Sequence, residues 1–188
     1  MAIKIFIDQG HNPQNPNAGA EAGGVREQDI TYTVGIMLAE LLNANPNFEA
    51  ITSRTYPEEQ LGTTTTESLT QRVRMANEWG ADYFISIHCN ASTILSASGS
   101  EAYVYRLGSE AAALGEYLLL GLNEATGLPN RGVMVNSGLF VLRRTYMPAV
   151  LMELGFITND TDRYLLTQDP QAFARGLYIG LLSYFGLD

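Results

Sequence analysis

The sequence predicts an α/β protein: a single three-layer domain with a twisted, mostly parallel central sheet of about six strands flanked by helices. Three observations carry this. Short apolar runs rich in β-branched residues recur along the chain. Segments of helical periodicity alternate with them, the order that crossover connections between parallel strands require. No repeat, linker or compositional break divides the 188 residues, a length suited to one domain, so 1–188 reads as a single domain.

Residues 3–7, IKIFI, predict a buried strand. Residues 8–28 are rich in Gly, Asn and Pro and read as a long loop, and loops of that length in compact domains usually carry function. Asp29 is placed to cap a helix running to about Ala44, with Ile30, Val34, Met37, Leu38, Leu41 and Leu42 on one face. Residues 48–53 predict a strand, and a second helix starts at Glu67 or Ser68 and ends near Trp79, with Leu69, Val73 and Ala76 inward. Strands follow at 83–88, YFISIH, and at 101–105, EAYVY. A long helix is expected over 109–126, and two apolar runs, 139–142 and 149–152, predict two further strands. Pro148 fits just before the second, where its missing N–H matters least. Helices over 160–167 and 170–185 close the chain, the last with Phe173, Leu177, Ile179, Leu181 and Leu182 on its apolar face.

Composition excludes several classes of function. The net charge is −9 and the eleven basic residues are scattered, so no patch can neutralise nucleic-acid phosphates or bind an acidic membrane surface. No apolar run approaches the roughly 18 residues of a membrane span. One cysteine allows no internal disulfide. The N-terminus, MAIKIFIDQGH, lacks the apolar region and cleavage site of a secretory leader. The expectation is therefore a chain made in the cytoplasm that reaches its substrate by release, or one from which a leader was trimmed.

The chemistry concentrates where strands end. Both histidines of the chain follow strands: His11 after 3–7, and His88 at the end of 83–88. Glu153 holds the same position after 149–152. Open α/β sheets bind ligands at the carboxyl ends of their strands, so one sheet edge receives all three. Two histidines and a carboxylate form a common catalytic zinc set with an open position for water. Glu27, at the end of the Gly-rich loop, is the best-placed third ligand, with Asp8, Glu21, Asp29 and Glu101 as competitors. Glu153, in MELGF, suits a general acid/base whose pKa is raised by apolar surroundings such as Phe156. Plainer readings stand beside these. A lone histidine is more often a hydrogen-bonded structural residue than a ligand, and Glu153 could pair with Arg143 or Arg144. Cys89, next to His88 on a strand, points to the opposite face and reads as a small core residue.

In order and combination, six segments resemble the zinc-dependent N-acetylmuramoyl-L-alanine amidases of bacterial autolysins and phage endolysins. They are IFIDQGH, GAEAGGVREQD, SIHCNA (86–91), GSEAYVY (99–105), NRGV (130–133), read as a turn, and PAVLMELGFITN (148–159). The resemblance covers nearly the whole chain. It implies one Zn²⁺ per chain held by His11, Glu27 and His88, with Glu153 as the catalytic glutamate. It further implies a hydrolase that cleaves the amide between N-acetylmuramic acid and L-alanine of peptidoglycan by zinc-activated water, so that 1–188 reads as a single catalytic domain without a wall-binding module; the chain is expected to act as a monomer. Asn90, Glu101, Asn130 and Arg131 are candidates to orient substrate. The family pattern D-P-G-H-G-G is replaced here by Asp8, Gln9, Gly10, His11, Asn12 and Pro13, which puts a different loop beside the substrate. Two rivals share the residues: a zinc carboxypeptidase, which needs a cation such as Arg131, Arg143 or Arg144, and a non-catalytic cell-wall-binding module, against which the intact Glu153 argues.

Overall fold

A computed structural model describes residues 1–187. In chain order it runs β1 (Ile3–Gln9), β2 (Glu21–Ala22), β3 (Val25–Arg26), α1 (Glu27–Asn43), β4 (Phe48–Thr52), α2 (Thr65–Trp79) and β5 (Tyr83–Asn90). It continues with β6 (Ser100–Val104), α3 (Glu110–Thr126), β7 (Asn130–Val135), α4 (Phe140–Arg144), β8 (Ala149–Phe156), α5 (Asp160–Gln168) and α6 (Pro170–Phe185). Six strands form one sheet in the order β4-β1-β5-β8-β6-β7, as the alternating pattern predicts. Strands β4, β1, β5 and β8 are parallel; β6 runs antiparallel to β8, and β7 pairs parallel with β6.

Alternation within the strands decides what each face does. Ile5, Ile7, Ile85, Ile87, Cys89, Val150, Met152 and Leu154 point to one face and pack under α1, α3 and α6 in the main core. Helices α3 and α6 approach so closely that a Cβ on Gly121 would fall 2.2 Å from the Gly176 carbonyl oxygen, so only glycine fits there. The other face carries a smaller core: Phe6 and Phe84, stacked at 5.6 Å, with Ala149 and Leu151, under Val73 and Ala76 of α2 and Val141 and Leu142 of α4. Helices α2 and α4 cover this second core.

Three expectations fail and several boundaries move: Asp29 does not cap α1 but lies within its first turn, and α2 starts at Thr65 rather than at Glu67 or Ser68. Residues 139–142 are not a strand; they open the short helix α4. Four apolar residues fit either period, and here Val141 and Leu142 pack inward while Arg143 and Arg144 stay outside. The sixth strand is instead Asn130–Val135, read as a turn because this edge strand is half exposed and shows no apolar alternation. The 8–28 loop is shorter than expected: β1 extends to Gln9, and the hairpin of β2 and β3 leads into α1, which starts at Glu27 without a side-chain cap. Helix α2 is capped by Thr64, whose hydroxyl accepts from the Glu67 N–H. No helix among the described residues is long and apolar enough to cross a membrane.

Candidate metal centre and active site

Follow the strands past the smaller core and the residue types change from apolar to titratable. Phe6 is succeeded on the same face by Asp8, Phe84 by Ser86 and then His88, and Leu151 by Glu153. Register sets His88 directly across from Glu153, and Glu153 directly across from Glu101 on the antiparallel neighbour. One row of the sheet thus carries a histidine and two glutamates side by side. Strands β5 and β8 both run beyond this row, so His88 and Glu153 lie within strands rather than just past their ends. The pairing of β5 with β8 shifts register immediately after His88, an irregularity of the kind that re-aims side chains beside active sites.

His11 and Glu27 close on this row from the adjoining loop and from the first turn of α1. His11 Nε2 lies 3.2 Å from His88 Nδ1, and Glu27 Oε1 lies 3.1 Å from each of these nitrogens. Three donor atoms therefore form a near-equilateral triangle. Tetrahedral zinc with ligands about 2.0–2.1 Å away separates its donors by roughly 3.3 Å, so the triangle fits one face of such a site. The chemistry of the set agrees: two imidazole nitrogens and a carboxylate, the borderline and hard ligands zinc accepts. Glu27 is held on both oxygens, Oε1 accepting from the Cys89 N–H at 2.9 Å and Oε2 from the Ala20 N–H at 2.9 Å. Burial pushes its carboxyl pKa up, but hydrogen bonds to His11 and His88 and their charges outweigh this and hold it well below the usual carboxylate range. Gly10 and Gly19 make the close approach possible; a Cβ on Gly10 would lie 2.4 Å from His88 Cε1.

Glu153 differs in having no partner. Its Oε2 is buried and makes no hydrogen bond among the described residues. Burial first, then the negative charges of Glu27 and Glu101, push its pKa up to about 8. Glu101 is tied down by three donors: Arg131 Nε at 2.6 Å, Asn90 Nδ2 at 2.8 Å and the Tyr103 hydroxyl at 2.9 Å. Arg131 also stacks over Phe156 at 5.1 Å. Beside the two histidines a pocket of about 150 Å³ opens between Leu69, Leu139, Phe140 and Leu151.

A profile of the N-acetylmuramoyl-L-alanine amidase family matches residues 5–183. The chain belongs to that family. Membership makes it a peptidoglycan amidase. The amidase CwlM of Bacillus licheniformis is 36% identical over 98% of this chain and 70% of its own length. The sporulation-specific amidase of Bacillus subtilis is 32% identical, covering 98% of this chain and 69% of its own. Among solved structures, the catalytic domain of the amidase CwlV from Bacillus (Paenibacillus) polymyxa var. colistinus superposes with a TM-score of 0.85 at 29% identity, over 99% of each chain.

Within this family member the sequence-predicted residues fall as follows. His11, Glu27 and His88 converge, with Glu153 beside them. The competing carboxylates are engaged elsewhere: Asp8 with Arg72, Glu21 and Asp29 near Arg26, Glu101 with Arg131. Asn90, Glu101 and Arg131 form one network, whereas Asn130 is exposed and turns its Oδ1 to the Gly132 N–H. Glu153 makes no ion pair with Arg143 or Arg144. Cys89 is a core residue, as expected, and burial pushes its thiol pKa well up. Asn12, where the sequence departs from the family pattern, is fully buried; its amide donates to the Pro16 and Leu61 carbonyls and pins the loop inward. Sequence reading missed Arg72, buried at 1% exposure, which pairs with Asp8 at 2.6 Å and reaches the backbone around His11. The available signal was a charge on the inward face of α2, one residue before Val73 and four before Ala76.

Proposed function

We propose that this family member hydrolyses the amide bond between N-acetylmuramic acid and L-alanine of peptidoglycan, with one Zn²⁺ held by His11, Glu27 and His88 and Glu153 as general acid/base. The observation that carries the reading is the donor triangle, 3.1–3.2 Å on each side, directly beside a glutamate whose buried oxygen has no partner. Zinc, when bound, supplies Lewis acidity, lowering the pKa of a water and polarising the scissile carbonyl.

The remaining work belongs to the chain's own residues. Glu153 Oε2 accepts a proton from the attacking water and returns it to the departing alanine nitrogen. In the metal-free protein burial and the neighbouring carboxylates raise its pKa to about 8, and a Zn²⁺ at the triangle would lower it towards neutrality, where accepting and returning the proton are both accessible. The Glu101 carboxylate, fixed by Arg131, Asn90 and Tyr103, keeps Glu153 basic through its charge. Asn90 and Arg131, with Asn130 further out on the rim, orient the substrate. The apolar pocket beside the histidines suits the small methyl groups that flank the scissile bond. The same reading has the chain acting as a monomer on the cell wall, with neither nucleic acid nor membrane as partner, in keeping with its net charge of −9.

Mass spectrometry of muropeptides tests this. Digestion should release intact stem peptides from glycan, stop with a zinc chelator, and fail in His88→Ala, whose zinc content by atomic absorption should fall. Release of single amino acids would indicate a carboxypeptidase instead, and full zinc occupancy in His88→Ala would remove His88 from the ligand set.

A further inference from the structure

We propose that Arg72 is a positioning residue for the metal centre: its buried guanidinium fixes the backbone that aims His11 at the metal. The inference rests on the assignment of His11 as a ligand. Metal-binding histidines ordinarily hold their ring by donating the second ring N–H to a carboxylate, a carbonyl or water. His11 does not. Its Nδ1 is buried and meets no partner among the described residues, while Nε2 faces the donor triangle. The ring's direction is therefore inherited from the backbone.

That backbone is in an unusual state. His11 has φ of 69°, the left-handed region that residues with a Cβ seldom adopt and that costs on the order of 1–3 kcal/mol. Such a conformation persists only where its surroundings over-determine it. The Thr31 hydroxyl donates to the Gly10 carbonyl at the centre of the turn, and one side chain, Arg72, holds both of its ends. Arg72 Nη2 donates to the His11 carbonyl and, at 3.3 Å, to Asn12 Oδ1; Nη1 donates to the Gln9 carbonyl and, at 2.6 Å, to Asp8 Oδ1. The turn Gln9–Gly10–His11 is thus gripped at both ends by one rigid planar fork, a geometry a lysine ammonium cannot reproduce. The fork is itself aimed: Nε donates to Ser68 Oγ at 3.4 Å one helical turn earlier, and Asp8 is steadied by the Ser86 hydroxyl at 2.7 Å. An ion pair serving stability alone would need Asp8 only. The two carbonyl contacts are directed at the ligand-bearing turn.

Arg72→Lys tests this, because it keeps the charge opposite Asp8 and removes the fork. Zinc affinity, measured by competition with a chromophoric chelator, should weaken roughly 10- to 100-fold, while kcat at saturating zinc returns towards the parent value. Ser86→Ala loosens the Asp8 side of the same buried cluster without touching the His11 carbonyl; it should lower Tm and leave zinc affinity unchanged. The proposal is overturned if Arg72→Lys binds zinc as tightly as the parent, or if both variants lose zinc affinity in proportion to their loss of Tm. Should Arg72→Lys fail to fold, Ser68→Ala frees one edge of the guanidinium and leaves the ion pair intact. Weakened zinc binding in it supports the proposal, and unchanged binding overturns it. His11→Ala separates the two readings: retained zinc there defeats the ligand assignment, whereas loss there with tight binding in Arg72→Lys defeats the positioning role alone.

Discussion

Glu153→Gln keeps the size of the side chain and removes its proton acceptor, and the structure sets two opposite consequences. Burial, then Glu27 and Glu101, raise the Glu153 pKa from 4.5 to about 8 in the metal-free protein. For an acid shifted upward the sign runs against folding. Below pH 4.5 both states hold the proton and nothing is lost. Between 4.5 and about 8 the unfolded chain releases a proton that the folded chain keeps, so stability falls as pH rises, and above about 8 the full cost is present. At about 1.36 kcal/mol per pKa unit the rise corresponds to at most about 5 kcal/mol. Structural relaxation and water entering beside the buried carboxylate reduce this to roughly 2–3 kcal/mol. For a chain of this size that is about 5–10 °C in Tm. Metal-free Glu153→Gln should therefore melt above the metal-free parent at pH 9 by calorimetry, with the gap closing towards pH 4.5. Its turnover with zinc restored should drop by roughly 10²–10⁴. A variant that is less stable at pH 9, or one that turns over near the parent rate, would refute the reasoning. The first result would mark Glu153 as a structural ion-pair partner, and the second would place the proton transfer elsewhere.

Chelation should lower Tm and added zinc should restore it, since zinc at a hundred times its Kd contributes about 2.7 kcal/mol; identical melting with and without chelator would argue that the triangle binds no metal. Asp8→Asn leaves the Arg72 charge buried and unpaired, which should cost about 3–5 kcal/mol by denaturant titration. Burial pushes the Asp8 pKa up, but Arg72 and Ser86 outweigh it and hold the carboxyl below its ordinary value. The contribution is therefore present above the unfolded-state pKa and lost as pH falls through the lower folded value, so parent and variant should converge in strong acid. Gly121→Val drives a side chain into the Gly176 carbonyl and should force α3 from α6, costing roughly 1–3 kcal/mol or more; an unchanged Tm would mean the helices part without penalty.

How far the sequence could be read follows from which residues carry period and which carry only proximity. Apolar runs in YFISIH and AVLM placed β5 and β8, and hence His88 and Glu153, because a strand buried on both faces is apolar at successive positions. Edge strand β7 touches little of the core and leaves no such mark, and LFVL is too short to choose between periods, so both were misassigned. Its place at the end of the Gly-rich loop made Glu27 the best-placed third ligand, and the family resemblance then singled it out from Asp8, Glu21, Asp29 and Glu101. The role of Arg72 was illegible because it depends on contacts with residues more than sixty positions away. Those contacts follow from the right-handed crossovers of a parallel sheet, which bring α2 across the end of β1.

The opening left on one sheet face, where the His11 and His88 side chains remain about one-fifth exposed, is what allows this site to exist. A row of two glutamates and a histidine cannot sit beneath packed helices without partners, since each unpaired charge would cost several kcal/mol. The main core under α1, α3 and α6 holds the strands, and the second face is free to end in chemistry. Strand β5 serves both: Ile85, Ile87 and Cys89 face the main core, while Ser86 and His88 between them face the site. Cys89 joins the two, because its side chain packs in the core and its N–H donates to Glu27. A larger residue at that position would displace the strand from the core side and carry the Glu27 bond with it. Core packing and the geometry of the donor triangle therefore meet at Cys89, where neither can be altered without the other.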